Sequence, residues 1–303
     1  MANTHTTLTS LFTDIADSIR SMKGSTGTIK ADNFPAEILS IPTGGLPPIG
    51  TLPAKTTLEN TSWDDISIVS RMGKASEYWS IGDTKTITLG DITYKFVIIG
   101  FDHDDVTDAE TYGRSKAGIT FQLGVPNDST EISCFSQSNN AELCISNIAF
   151  RRSTLDTSPG YGWNNSTARA MLYGIVDYSM PSEVKKVLIP VNKISAKSYQ
   201  NELATTSDKY FLLSEKEYSG INSHSLDGEG SRYAYYTSFT NKQLKRYYKS
   251  TSGSGSIEEA YTYLTRSLSD SSNNECVIWS RGPVDFTDQE VTATSRFTFA
   301  FCV

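Results

Sequence analysis

Four carboxylates crowd one short segment, Asp102, Asp104, Asp105 and Asp108. Oxygen-rich turns of this kind can hold calcium. The segment lacks the glycine and the closing glutamate of an EF-hand loop, so a solvated acidic turn is the expectation and no metal is assigned. Three histidines, His5, His103 and His224, are the whole supply of imidazole bases. None stands in a Gly-x-Ser-x-Gly setting, and no nucleophile with an adjacent base is legible. Gly253-Ser254-Gly255 reads as a flexible stretch. Gly228-x-Gly230 lacks a third glycine and a preceding strand, which argues against dinucleotide binding. Cys134, Cys144, Cys276 and Cys302 show neither CxxC spacing nor a metal-ligand rhythm. Cys276 and Cys302 alternate with apolar residues, as buried core thiols do. The residues therefore point to a non-catalytic protein with no cofactor.

Recognition chemistry is better represented. Between Tyr263-Leu264-Thr265-Arg266-Ser267 and Arg296-Phe297-Thr298-Phe299-Ala300-Phe301-Cys302-Val303 lies a polar stretch dotted with large side chains. Its candidate ligand-binding residues are Ser269, Asp270, Ser272, Asn273, Asn274, Trp279, Arg281, Asp285, Phe286, Asp288 and Glu290. Trp279 and Phe286 would serve as anchors, and Arg281, Asp285 and Asp288 as polar selectors, because aromatic and arginine side chains give large contact energies with few rotamers. The same spacing also fits an ordinary surface hairpin with a loop. In the closing run Phe297, Phe299 and Phe301 fall on one face and Thr298, Ala300 and Cys302 on the other, the pattern of a strand over an aromatic core. Tyr233, Tyr235, Tyr236, Tyr247 and Tyr248, with Lys242, Lys245 and Arg246, could stack on bases or sugars. Tyrosines that close a core and donate a hydrogen bond at their tip explain them better.

These residues need elements to hold them. The 303-residue chain is 38% hydrophobic and 11% aromatic, enough for a sizeable core. Clusters of Gly, Ser, Thr, Asn and Asp favour strands and loops over a helical bundle. A formal net charge of -7 disfavours nucleic acid as a partner. No segment approaches a membrane span, and the N-terminus lacks the pattern of an export signal. Leu8, Leu11, Phe12, Ile15, Ile19 and Met22 form one helical stripe that Gly24 would end. A second short helix is expected from Asn33-Phe34-Pro35 through Ile38, Leu39 and Ile41. Residues 1–41 thus read as an anchoring or oligomerising module, 42–59 as a Pro/Gly linker and 60–303 as one domain. In that domain the spacing predicts a hairpin, Thr86–Leu89 with Tyr94–Gly100, turning at Gly90-Asp91, and a strand over Gly118–Leu123. It also predicts a helix over 166–178 capped by Asn164 or Asn165, and strands over Val187–Val191 and Lys209–Leu213. A capping box of Ser214 and Glu217 follows, then long loops over 220–260.

Several blocks together carry a resemblance. Gly162-Trp163-Asn164-Asn165-Ser166 with Arg169 and Leu172, Met180-Pro181, Asp208-Lys209-Tyr210-Phe211-Leu212-Leu213-Ser214-Glu215-Lys216-Glu217, Thr265-Arg266-Ser267 and Phe299–Val303 resemble an uncharacterised domain family common in phages and their bacterial hosts. The resemblance implies an α+β, C-type-lectin-like domain of the branch shared with formylglycine-generating enzymes and phage tropism proteins. The segments Leu11–Arg20 and Ile29–Ile38 are similar to a short module at the start of phage tail proteins. The end block is similar to the variable region of proteins diversified by retroelements. Together these imply a homotrimeric tail fibre or tip protein in the virion, made in the host cytoplasm. It would bind a host-surface protein or glycan through 268–293 and other tail proteins through 1–41, without membrane insertion. The alternatives are a structural virion protein without receptor contact and, third, an enzyme acting on cell-wall material.

Overall fold

The computed structural model describes residues 8–23, 27–34, 50–90, 92–124, 148–150, 162–198, 202–237, 247–250, 257–260, 263–271, 275–279, 286–295 and 297–303. The chain divides into two units, Met1–Thr51 and Leu52–Val303.

In the first unit the apolar stripe forms a helix, α1 (Leu8–Lys23). Ala16 and Ile19 are buried on it. Phe12 packs edge-on against Phe34, ring centroids 6.0 Å apart. Phe34 follows a single 3-10 turn, Ala31–Asn33. The remainder of the expected second helix, the Gly24 stop and residues 42–49 of the linker lie outside the described residues.

The second unit is α+β. It opens with α2 (Trp63–Arg71), whose Ser62 Oγ accepts the Asp65 amide at 3.1 Å and so satisfies an orphan donor of the first turn. The apolar spacing buries Trp63, Ile66 and Val69. β1 (Thr84–Leu89) and β2 (Ile92–Phe101) form the expected hairpin, with Gly90 at φ 61° supplying the left-handed backbone of the turn. β3 (Ile119–Leu123) is buried throughout.

The last strand closes that sheet. From the second unit's far end it returns to pair antiparallel with β3, giving the order β1-β2-β3 and then Ala300–Cys302. Phe301 lies beside Phe121 (5.4 Å, stacked) and Phe96 (5.4 Å), while Phe299 meets Phe96 (5.6 Å) and Tyr210 (6.0 Å). The alternation of 297–302 does not separate core from solvent. Thr298, Ala300 and Cys302 are as buried as the phenylalanines, because the second face is covered too. Thr298 Oγ1 donates to the Leu123 carbonyl at 2.6 Å, and Cys302 Sγ meets Thr120 Oγ1 at 3.4 Å.

Two expected strands shrink to single rungs on the other edge of Ala300–Cys302. Ile189 N donates to Cys302 O (2.9 Å), and Phe211 and Ala300 exchange both backbone bonds (3.0 and 2.8 Å). So short a strand offers room for little more. Extended pairing falls instead on a hairpin, β4 (Val191–Ser198) with β5 (Glu202–Asp208). The expected helix runs over 167–179 with a π-helical centre, Leu172–Val176. Its cap is Ser166, whose Oγ accepts the Arg169 amide at 3.0 Å; Asn164 and Asn165 stand in a preceding 3-10 turn. The Ser214–Glu217 capping box heads α3 (Glu215–Ser219). Residues 220–260 are not all loop. They include a short helix, Ala234–Thr237, and a hairpin of Tyr247–Ser250 with Ile257–Ala260. Beyond them β6 (Tyr263–Leu268), β7 (Glu275–Trp279) and β8 (Phe286–Glu290) form an antiparallel sheet with β7 in the middle, and Ala300–Cys302 is β9. Among the described residues no helix is long and apolar enough to cross a membrane.

Candidate binding surface and its buried frame

β6 carries three consecutive polar residues, Thr265, Arg266 and Ser267, in full burial. That is tolerable only if every donor and acceptor is matched. Thr265 Oγ1 donates to Val277 O at 2.6 Å, fastening β6 to β7. Ser267 Oγ accepts the Glu215 amide at 3.0 Å and donates to Glu229. Arg266 spreads its guanidinium over Ser195 Oγ (3.0 Å), Leu212 O (3.1 Å), Glu229 O (2.9 Å) and both oxygens of Glu217, Nη2 lying 2.9 Å from Oε1. This forked pairing suits a planar guanidinium.

Glu217 is placed there by the capping box: its carboxylate accepts the Ser214 amide at 3.1 Å while its own amide donates to Ser214 Oγ. Its Oε1 also meets Lys193 Nζ on β4 at 2.6 Å. Lys193 in turn lies 2.7 Å from Asp104 Oδ1, 3.2 Å from Tyr233 OH and 4.2 Å from the centroid of the Phe211 ring. Asp104 accepts Thr120 Oγ1 at 2.5 Å and the Tyr233 hydroxyl at 2.8 and 2.9 Å. The buried frame therefore runs Arg266–Glu217–Lys193–Asp104 and ties β6, α3, β4 and the loop after β2 together.

Burial alone would raise Asp104, but Lys193, His103 and the Thr120 hydroxyl outweigh it and hold the carboxyl well below the usual range. Glu217 behaves alike: burial raises it, and Arg266 and Lys193 bring it below its ordinary value. Glu229 differs. Burial dominates, and Arg266, Ser267 and the Ala196 amide offset it only in part, so its carboxyl is pushed up to about 7. Burial lowers His103, which stacks on Tyr233 at 3.9 Å. Burial also raises the Cys302 thiol well above its ordinary range.

Of the four acids in the turn, Asp102, Asp105 and Asp108 are exposed as expected, and Asp104 alone is not. Asp104 is interior, Asp102 pairs with Arg114 (2.8 Å), Asp105 with Lys116 (2.7 Å), and Asp108 caps the turn 109–112 through Thr111. His103, Asp104 and Glu217 bring ligand atoms within 4.8 Å of one another. The Lys193 ammonium already bridges the two carboxylates, so no metal is assigned. Cys276 and Cys302 are both buried; Cys134 and Cys144 lie outside the described residues.

Above the frame lies the expected recognition segment. Glu215 gathers the amides of Ser223 (3.0 Å), His224 (3.1 Å) and Ser225 (2.9 Å), which fixes the turn 223–225. That turn reaches the segment at two points: Asp270 N donates to His224 O (2.8 Å), and His224 Nδ1 lies 3.3 Å from Asp288 Oδ2. Asp270 and Glu290 are exposed, and Asp288 is half-buried beside Thr287 and Gln289. Ser269 is buried, with its hydroxyl 2.7 Å from Ser271 Oγ. Phe286 is also buried, packing on Tyr218 at 6.4 Å, so it is a core residue rather than an exposed anchor. The reason is register: Phe286 opposes Trp279 in β7, which opposes Tyr263 in the buried β6. The side chain of Trp279, and Ser272, Asn273, Asn274, Arg281 and Asp285 as a whole, lie outside the described residues.

Tyr233, Tyr235 and Tyr236 are core-closing residues, Tyr233 on Asp104 and Tyr236 on Gln122 through their hydroxyls. Lys242, Lys245 and Arg246 lie outside the described residues. Sequence reading missed Lys193, Glu229 and the interior role of Asp104. A partial signal existed in the capping box and in an arginine set among strand residues, since both demand a partner.

The family model described as "Domain of unknown function (DUF6273)" matches residues 128–292, more than half of the chain. That span holds β4 to β8, α3 and the recognition segment. No curated protein and no solved structure matches.

Proposed function

The chain belongs to the DUF6273 family, and from that premise we propose that its second unit is a non-catalytic receptor-binding domain of a phage tail fibre or tip, contacting a host-surface ligand through the surface around β8. The observation that carries the reading is a division of labour. The interior charges of the frame are satisfied by one another, whereas Asp270, just past β6, and Asp288, Gln289 and Glu290 of β8 reach solvent beside a sheet whose buried strand β6 is locked. A surface so supported can change its outward side chains at little cost to the fold.

For the finer architecture we propose a C-type-lectin-like fold of the formylglycine-generating-enzyme branch. The return of the last strand to the first sheet, with a second small sheet and long connections beside it, supports that reading. Residues 1–41 would join the domain to the tail as a homotrimer.

The test is a pull-down on cell envelopes of the bacterial host, comparing the full chain with an Asp288→Ala, Gln289→Ala, Glu290→Ala triple variant. The triple variant should lose binding while keeping its oligomer and circular dichroism. Central interface residues contribute ~2 kcal/mol or more each, and display in several copies amplifies the loss. Undiminished binding would move the receptor site elsewhere, and turnover of envelope polymers by the wild type would favour an enzyme.

A further inference from the structure

We propose that Lys193 and Asp104 are joined in the mature protein by an isopeptide bond between Nζ and Cγ. The bond would form within the chain and without a partner enzyme. The inference is independent of the binding function.

Lys193 is set apart from the other paired lysines. Those of Lys74, Lys116, Lys186, Lys197 and Lys216 keep a quarter or more of their side chains exposed, as do their acidic partners. Lys193 and both its carboxylates are almost wholly enclosed, at 3% for the lysine and 2% for each acid. Lys85, also buried, donates to the carbonyls of Leu58, Glu59 and Thr61, which cannot condense with it, and lies over the Trp63 ring. Arg266 offers no nucleophilic lone pair, because guanidinium does not deprotonate in proteins.

Around Lys193 the structure supplies what amide formation needs. The amine and the carboxyl are held in contact at 2.7 Å, so no encounter entropy remains. Phe211 and Tyr233 wall the site against water. A second carboxylate, Glu217, touches the same Nζ at 2.6 Å and can carry protons. Thr120 Oγ1 (2.5 Å) donates to Asp104 Oδ2, where negative charge builds when Cγ becomes tetrahedral, and the Tyr233 hydroxyl lies within reach of both Oδ1 (2.8 Å) and Oδ2 (2.9 Å). Glu217 is the base rather than the electrophile, because Arg266 grips both its oxygens and leaves neither to depart as water.

The step balances as a condensation. The Lys193 ammonium passes one proton to Oδ1 of Asp104, which makes that carboxyl neutral, and the freed lone pair attacks Cγ; Glu217 then takes the second proton from Nζ and relays it to Oδ1. The tetrahedral centre collapses with its oxyanion on Oδ2, and the C–Oδ1 bond breaks. Both protons lost by Nζ leave on Oδ1 as one water, Oδ2 becomes the amide oxygen, and Glu217 ends as it began. A buried ion pair, which carries a large desolvation cost, is replaced by a neutral amide. The Glu217–Arg266 pair remains balanced. The link closes a span of 89 residues between the loop after β2 and β4.

Intact mass spectrometry of the purified full chain under denaturing conditions tests this, followed by proteolytic mapping. The expected result is a mass one water below the sequence value, with the Lys193 peptide covalently joined to the Asp104 peptide. Lys193→Arg, which keeps the cation but removes the nucleophile, should show the full mass. A wild type at full mass with linear Lys193 and Asp104 peptides overturns the proposal, whatever the folding of the variant. A link from Lys193 to Glu217 also overturns it, because it would reverse the assigned base and electrophile.

Discussion

Glu229 is a carboxylic acid whose ionisation opposes the fold. Its carboxyl is pushed from an ordinary 4.5 up to about 7, so the native state holds a proton there that the unfolded chain releases. Stability from this group is complete at low pH and declines as pH rises from about 4.5 to about 7, by about 3 kcal/mol in all, and is flat above. His103, lowered by burial, works the other way, adding stability as pH rises through the imidazole range. The comparison of wild type with Glu229→Gln therefore isolates the carboxyl. Urea midpoints of the variant should lack the decline between about pH 4.5 and about 7, and parallel pH profiles for the two proteins would refute the assignment. Core and surface should separate as sharply. Phe299→Ala removes a ring enclosed by Phe96 and Tyr210 and should cost ~3–5 kcal/mol. Asp288→Ala loses a half-exposed pairing with His224 and should cost no more than ~1 kcal/mol. Denaturation midpoints measure both.

At the scale of elements, stability rests on polar junctions between short pieces rather than on long regular structure. The loop at Gly162 presses against β4 so closely that an added Cβ would lie 1.7 Å from the Ala196 carbonyl. Gly162→Ala must push backbone apart, and the expected loss of ~1–3 kcal/mol is that of an overpacked core site. A thermal scan checks it; a melting temperature equal to wild type would mean the junction yields freely. The capping box is the complementary case. Ser214→Ala removes an N-cap, typically worth ~1 kcal/mol, and also releases the Glu229 carbonyl from its Ser214 Oγ donor at 2.7 Å. Its effect should exceed that of a solvent-exposed cap such as Ser62→Ala, measured by the same denaturant titration.

At the scale of the whole molecule, the two units set out a clear dissection. A chain beginning at Leu52 keeps the second unit intact, whereas one beginning at Asn60 would remove the Leu58 and Glu59 carbonyls that receive the buried Lys85 ammonium at 3.2 and 2.9 Å. The Thr61 carbonyl at 2.8 Å would remain alone, and an interior lysine stripped of two of these three acceptors is strongly destabilising. The 52–303 fragment should fold as a monomer, the 60–303 fragment should be markedly less stable, and the full chain should be an oligomer, expected to be a trimer. Light scattering and melting curves decide. A monomeric full chain at micromolar concentration would remove the oligomerising role from residues 1–41.

What the sequence determined by itself was local and periodic. The stripe of α1, the β1–β2 hairpin at Gly90, the helix after residue 166, the Ser214–Glu217 box and the aromatic closing strand all follow from spacing and from backbone preferences that act over a few residues. What only the tertiary structure decided were the partners. Nothing near Asp104 announces that a lysine 89 positions later will neutralise it, so spacing reads it as a solvated acid. Phe286, in a polar stretch, reads as an exposed anchor until strand register turns it onto Tyr218. Strand length was settled the same way. Val187–Val191 and Lys209–Leu213 have strand composition, but Ile189 and Phe211 each find a single rung because β9 is short. Burial and long-range pairing depend on which element arrives opposite, and chain-local patterns carry no record of that.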